Sequence, residues 1–136
     1  MNCPLIATDI IIEYNGGIVL IERKFPPLGL AIPGGMAELG LTLEENAIKE
    51  AKEETGLDVI LLNPEQPLCV HSDPQRDPRR HVISVTYVAM GKGRLQAGDD
   101  AKEAHLYTRE QVQAQLDKLV FDHARIMQKY LRRENG

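Results

Sequence analysis

Residues 33–57 of this chain read PGGMAELGLTLEENAIKEAKEETGL, a turn sequence followed after a short loop by a helical one. The turn, Pro33-Gly34-Gly35, allows a tight backbone path along which main-chain groups can approach a ligand closely. Beyond it the apolar period becomes helical, and one helix face carries Leu43, Ala47, Ile48 and Ala51. Thr42 and Glu45 have the spacing of a capping box, and Gly56 is placed to end the helix. The pattern predicts a capped helix between Thr42 and Gly56.

Three carboxylates follow one side of this helix. Glu50, Glu53 and Glu54 are spaced i, i+3, i+4, which places them within an arc of about 100°. A solvated acidic face would account for them, although like charges at this spacing disfavour the helix. Mg²⁺ and Mn²⁺, however, prefer carboxylate oxygens and keep coordination positions for phosphate. Because a glycine turn precedes the helix, the pattern indicates a metal-dependent site for a diphosphate.

The remaining sequence predicts a single mixed α/β domain over residues 1–136. Apolar and β-branched runs predict strands at residues 5–14, 18–22, 30–32, 57–62, 68–71, 81–90 and 104–107. Asn15-Gly16-Gly17 predicts a hairpin turn between the first two strands. Thr108 should begin a helix that runs to about Leu119, and a last helix should run from about Asp122 to Arg132.

The amino-acid composition argues against several classes of function. The chain has 136 residues, 16 Lys and Arg against 20 Asp and Glu, and a net charge of −4. This acidic balance argues against a general nucleic-acid binder, which needs clustered Lys and Arg. We see no apolar window near the roughly 18 residues needed to cross a bilayer, and no signal-peptide pattern. Cys3 and Cys69 lack metal-ligand spacing, so we expect reduced thiols in a cytoplasmic protein.

The helix and its glycine turn resemble the Nudix box, G-x5-E-x7-R-E-U-x-E-E-x-G-U, where U is a bulky aliphatic residue. The matching positions are Gly35, Glu50, Glu53, Glu54, Gly56 and Leu57. The resemblance implies the Nudix α/β/α sandwich with a mixed β-sheet, and hydrolysis of a nucleoside diphosphate linked to another group. It also implies that Glu50, Glu53 and Glu54 bind Mg²⁺, or alternatively Mn²⁺.

Two positions depart from the box. Leu41 stands where the family has its first Glu, and Lys49 stands where it has Arg. In the family these two residues commonly form an ion pair that braces the loop against the helix, and Lys lacks the bidentate geometry of Arg. We therefore expect retained chemistry, a less fixed loop between Gly35 and Thr42, and Leu41 filling an apolar gap near the helix start.

Two further segments look like the ADP-ribose pyrophosphatase branch of the Nudix family. They are RKFPPLGLAIPGG at residues 23–35 and HSDPQRDPRRH at residues 71–81. The second could be a solvated loop with local Asp–Arg pairs, but planar guanidiniums also bind phosphate and ribose oxygens well. The predicted substrate-binding residues are Arg23, Phe25, Gly34, Gly35, Arg76 and Arg79. Residues 99–104 and 121–124 also fit the branch.

The resemblance leaves several alternatives open. Glu53, Glu54 and Glu103 are the candidates for the catalytic base, and Asp100 or Glu103 could add a metal ligand. Adenine could stack on one of four aromatic residues, although aromatic residues in such positions are more often core side chains. They are Phe25, Tyr87, Tyr107 and Phe121.

The function that we predict from the sequence is Mg²⁺-dependent hydrolysis of ADP-ribose or a close relative to AMP and ribose 5-phosphate. The alternatives are sanitation of damaged nucleoside triphosphates, and a Nudix-like binding module that no longer turns over substrate. The expected partner is the small nucleotide alone, with no nucleic acid and no membrane. A homodimer is common in this branch.

Overall fold

The computed structural model describes residues 2–96 and 101–135. The strands are β1 (Leu5–Tyr14), β2 (Gly17–Arg23), β3 (Leu30–Ala31), β4 (Gly34–Met36), β5 (Asp58–Leu61), β6 (Cys69–His71), β7 (Val82–Lys92) and β8 (Ala101–Tyr107). The helices are α1 (Leu43–Thr55), α2 (Arg109–Ala114), a 3₁₀ turn (Leu116–Lys118) and α3 (His123–Asn135). Among the described residues no helix is long and apolar enough to span a bilayer.

The strands form one mixed sheet. Its path runs β3-β2-β1-β7-β5, while β4 pairs with β1, β6 with β7 and β8 with β2. β1 and β7 pair in parallel, and the other pairs are antiparallel. The sheet is therefore mixed, as predicted.

β1 is buried on both faces and divides the core into two layers. Ile10, Ile11 and Ile12 are all fully buried, although they follow one another in sequence. Alternate side chains of a strand point to opposite faces, so Ile10 and Ile12 pack with Ala47 and Ala51 of α1. Ile11 packs on the other face with residues of α2 and α3. Helices on both faces of a mixed sheet confirm the predicted α/β/α sandwich.

Helix α1 begins and ends as its sequence predicts. The Thr42 hydroxyl accepts a hydrogen bond from the Glu45 N–H, and the Glu45 carboxylate accepts one from the Thr42 N–H. Gly56 takes a left-handed conformation with φ of 76° and closes the helix. The prediction was wrong for Ile48, which is 41% exposed because α1 packs on the sheet through its two buried alanines.

Three other boundaries differ from the prediction. Gly34–Met36 forms the short strand β4 rather than a plain turn, because its backbone pairs with β1. The helix begun at Thr108 ends at Ala114 and continues as a 3₁₀ turn instead of running to Leu119. β8 begins at Ala101, earlier than predicted, through pairing with β2. Tertiary strand pairing therefore set two of these boundaries.

The loop between β4 and α1 is held by Asn46. This fully buried side chain donates to the Thr8 hydroxyl at 2.9 Å and to the Met36 carbonyl at 3.3 Å, and it accepts from the Glu38 N–H at 3.2 Å. The loop is also paired to β1 by the bond from Ala37 N–H to the Ile6 carbonyl, 2.7 Å long. A single polar side chain thus connects the loop, the helix and the central strand.

The expectation of a lost ion pair at this loop was wrong. Lys49 Nζ lies 3.1 Å from Glu38 Oε2, so Glu38 supplies the carboxylate that Leu41 lacks, three residues earlier in the chain. Leu41 is only half-buried, and Leu43 is the leucine at the helix start that packs against the core. Leu43, rather than Leu41 as predicted, therefore fills the apolar space at the helix start.

Asn46→Ala should destabilise the fold by about 1–3 kcal/mol, because it leaves buried polar groups of the loop and β1 without partners. Glu38→Gln removes an exposed ion pair and should leave the melting temperature nearly unchanged. Urea unfolding and thermal melting of both variants measure the difference. A loss for Glu38→Gln as large as that for Asn46→Ala would contradict the larger contribution assigned to Asn46.

Candidate active site

One pocket of about 370 Å³ gathers most of the residues singled out in the sequence. It lies where β1, β2, β4 and α1 meet the loop before β7 and the segment before α3. Eight predicted site residues line it: Arg23, Phe25, Gly34, Gly35, Glu50, Glu54, Arg76 and Arg79. Residues that sequence reasoning had not assigned to a site line it too, notably Asp9, Asp77 and His123.

The two glycines pass directly between carboxylates. A Cβ on Gly35 would overlap the Glu50 carboxylate, and a Cβ on Gly34 would overlap the carboxylate of Asp9. The Gly34 N–H donates to Glu54 Oε1 at 2.9 Å. Glycine is required here because any side chain would displace either the backbone or an acid.

Carboxylate oxygens placed beside the Gly34–Gly35 backbone are suitable ligands for a divalent cation. Mg²⁺ is usually bound by one or two carboxylates together with substrate phosphates, not by a complete protein cage. Glu50 and Glu54 provide such a pair, one helical turn apart and both in the pocket wall. Over the described part of the chain, no group of three or more His, Cys, Asp and Glu is arranged to hold an ion unaided. The residues present therefore fit a cation that is shared with a substrate.

Glu53 does not join the other two glutamates in the pocket wall. Its carboxylate hydrogen-bonds to Lys49 Nζ, one turn earlier on α1, and the side chain is about half exposed. The reason is angular, because Glu53 and Glu54 lie about 60° and 40° to opposite sides of Glu50 on a helix. The predicted set of three metal ligands is thus brought together only in part, and a ligand role for Glu53 stays a prediction.

Glu103 lies on a different element from these carboxylates. It is on β8 opposite Glu22 of β2, and its Oε2 is 2.9 Å from His105 Nε2. It does not line this pocket, and its predicted role as base or metal ligand stays a prediction. Asp100, the other candidate, lies outside the described residues.

The arginines of the loop before β7 have different surroundings. Arg76 is buried, with Nη2 at 2.6 Å and Nε at 2.9 Å from Asp122 Oδ1, and Nη1 donates to the Val82 carbonyl. These bonds fix Arg76 within the pocket wall, and its predicted role as a substrate ligand stays a prediction. Arg79 is 41% exposed at its side chain and binds Asp77 through Nε and Nη2. A local Asp–Arg pair is therefore present, and Arg79 also lines the pocket.

A group of hydrogen-bonded buried polar side chains, which reaches the pocket wall at Asp9 and His123, was missed by the sequence analysis. The Ser84 hydroxyl donates to Asp9 Oδ2, and His123 Nε2 lies 3.8 Å from the same oxygen. His123 Nδ1 accepts the Ile32 N–H at 3.0 Å, and burial lowers the pKa of this imidazole. One signal was available, because a lone carboxylate at Asp9 interrupts an apolar strand that is buried on both faces.

The four aromatic candidates are also separated by the fold. Tyr87 is buried in the core between the sheet and α1, as expected for a core side chain. Tyr107 packs against the core on the other face of the sheet. Phe25 is 55% exposed and lines the pocket. Phe121 lines it as well and is half-buried. Only the last two can therefore meet a ligand in this pocket.

The chain resembles known proteins along nearly all of its length. The NUDIX domain family matches residues 4–130. An ADP-ribose pyrophosphatase of Methanocaldococcus jannaschii is 45% identical over 137 residues, which cover 98% of this chain and 76% of that protein.

Solved structures share the fold. A MutT/nudix family protein from Enterococcus faecalis has a TM-score of 0.79 at 30% identity, covering 98% of this chain and 62% of that chain. A bifunctional NMN adenylyltransferase/ADP ribose pyrophosphatase from Francisella tularensis, complexed with AMP and a Mn ion, has a TM-score of 0.79 at 26% identity. All of this chain is covered by that match, but only 43% of the other chain. The chain thus spans less than two thirds of these two solved chains.

Asp122→Asn should destabilise the protein in a pH-dependent way. Burial raises the pKa of Asp122, but hydrogen bonds from Arg76 and His71 outweigh it, so the net pKa lies below the ordinary 3.8. A carboxyl with a lowered folded pKa stabilises the fold above its unfolded pKa, and this stabilisation is lost as pH falls through the folded pKa. We expect a cost on the order of 2 kcal/mol at pH 7, which shrinks below about pH 4.

Melting temperatures of both proteins between pH 7 and pH 3 measure this effect. The exposed Asp58, whose carboxylate lies 3.3 Å from Lys52, provides a matched control as Asp58→Asn, for which we expect little change at any pH. A difference for Asp122→Asn that is constant across the range would contradict the assignment.

Proposed function

This chain belongs to the Nudix family, and we propose that it hydrolyses the diphosphate bond of ADP-ribose with a divalent cation, giving AMP and ribose 5-phosphate. The observation that carries the proposal is the convergence of Glu50 and Glu54 on the Gly34–Gly35 backbone, in a pocket that also presents Arg79. The substrate is supported by the relative from M. jannaschii, and AMP and Mn by the F. tularensis structure.

The charges of the pocket favour a cation together with an anionic substrate. Its wall contains four carboxylates, those of Asp9, Glu50, Glu54 and Asp77, against three guanidiniums. A diphosphate would therefore approach a wall with one more acid than base. A divalent cation at the glutamates reverses this balance where the phosphates bind.

Each group has a role in the proposed reaction. A divalent cation would supply neutralisation of the diphosphate oxygens and activation of water as nucleophile. Glu54 is buried, is oriented by the Gly34 N–H and faces the pocket, so among Glu53, Glu54 and Glu103 we assign it as the proton acceptor. Glu50, one turn earlier on the same helix, would hold the cation, with the Glu54 carboxylate beside it.

The opposite wall would orient the substrate. Arg23 and Arg79 reach the pocket from β2 and from the loop before β7, and their planar guanidiniums suit phosphate and ribose oxygens. Phe25, which is largely exposed beside them, offers a face on which adenine can stack. Magnesium as the physiological cation and a homodimer remain predictions.

Wild-type protein should release AMP from ADP-ribose only when Mg²⁺ or Mn²⁺ is added. Glu54→Gln keeps the shape of the side chain but cannot accept a proton, and should lower kcat by about 10²–10⁴-fold. Glu65→Gln, at an exposed glutamate outside the pocket, is the matched control and should leave kcat unchanged. Chromatographic detection of AMP provides the measurement.

Two outcomes would select the alternatives. Faster turnover of damaged nucleoside triphosphates than of ADP-ribose in a substrate panel would indicate a sanitation enzyme. Binding of ADP-ribose by calorimetry without release of AMP in Mg²⁺ would indicate a binding module. Either result would reject the proposed reaction while leaving family membership untouched.

A further inference from the structure

Phe121 has an unusual backbone for a bulky residue. Its φ of 56° lies in the left-handed region, where non-glycine residues are uncommon and large side chains are rare. The chain on either side is held in place, by Val120 N–H bonding the Leu30 carbonyl at 2.9 Å and by buried His123. Such conformations persist where the surroundings fix them, and they often occur at functional sites.

The ring of Phe121 is contacted by two guanidiniums. The Cζ atom of Arg23 lies 5.1 Å from the ring centroid, and that of Arg79 lies 5.2 Å from it. Both distances fall within the range of cation–π attraction. These arginines come from the end of β2 and from the loop before β7, so the ring is a contact that two distant segments share.

Each arginine also bonds to a residue close to it in the chain. Arg23 Nε donates to the Pro27 carbonyl at 2.8 Å, and Arg79 is paired with Asp77. Two guanidiniums around one ring are within about 10 Å of each other, a range over which like charges still repel. The electron-rich ring face attracts both of them and thereby offsets the repulsion.

We propose that Phe121 is a positioning residue, which holds Arg23 and Arg79 at the pocket and so sets the affinity for a diphosphate. The inference rests on the proposed function for the identity of the substrate, but not for the presence of an anion site. Phe121 itself takes no part in the reaction. Its removal should therefore weaken binding and raise KM while leaving kcat nearly unchanged.

The test compares three substitutions of the ring. Phe121→Leu keeps an apolar side chain but removes the π face, and should raise KM for ADP-ribose by about fivefold or more. Phe121→Tyr retains the ring and should retain most of the affinity. Phe121→Asn is compatible with the left-handed backbone, so it should fold as well as wild type, yet bind as weakly as Phe121→Leu.

A double-mutant cycle separates positioning from a general structural role. Arg79→Gln alone should weaken binding, and Arg79→Gln combined with Phe121→Leu should cost less than the product of the two single effects. Arg80→Gln, at an exposed arginine in the same loop, controls for loss of positive charge and should bind as wild type. Circular dichroism and melting curves confirm that each variant is folded.

Binding of inorganic pyrophosphate in Mg²⁺, measured by calorimetry, keeps this test independent of turnover. If wild type releases no AMP but Phe121→Leu still weakens pyrophosphate binding, the proposed reaction fails and the positioning role stands. The role is overturned if Phe121→Leu binds as wild type, if the two substitutions act independently, or if only kcat falls. Failure of wild type to bind pyrophosphate would overturn it as well, since no anion site would then exist.

Discussion

The contact between the Gly34–Gly35 backbone and three carboxylates determines the geometry of the whole site. β4 pairs with β1 in a register that sets Gly34 opposite Asp9, and the same glycine binds Glu54 of α1 through its N–H. A Cβ at either glycine would overlap an acid, so strand pairing, helix position and carboxylate placement depend on one another. The short strand β4 therefore couples the central sheet to the helix that carries Glu50.

Burial makes this arrangement costly unless each polar group is satisfied. Asp9 lies in a strand covered on both faces, where an isolated charge would be strongly unfavourable, and it accepts a hydrogen bond from Ser84. Asn46 solves the same problem for the loop after β4, since one amide satisfies groups on β1, on the loop and at Met36. The exposed pair of Lys49 with Glu38 contributes less because water screens it. The departures from the Nudix box at Leu41 and Lys49 are thus compatible with a fixed loop.

Residues of one type take different roles in the basic loop before β7. Arg76 is enclosed and holds Asp122 inside the wall, whereas Arg79 is partly exposed and reaches the pocket. The difference arises from burial, because the N–H donors of a buried guanidinium must be hydrogen-bonded to acceptors within the protein. The charge of the chain is also unevenly distributed. Its net charge is −4, yet the pocket wall contains three guanidiniums. Phe121 adds an aromatic face on which two of them meet.

The sequence alone determined the family, the sandwich fold, the caps of α1 and eight of the residues that line the pocket. The caps of α1 follow from local capping chemistry. The family, the sandwich fold and the pocket residues follow from the resemblance to the Nudix box and to the segments of its ADP-ribose pyrophosphatase branch. The tertiary structure decided that the Glu53 carboxylate lies at Lys49, that the Glu103 carboxylate lies at His105 and that Arg76 pairs with Asp122 in the pocket wall. It also brought Asp9 into the site. Spacing along a helix fixes an arc of directions, but which part of that arc faces a pocket depends on how the helix packs against the sheet.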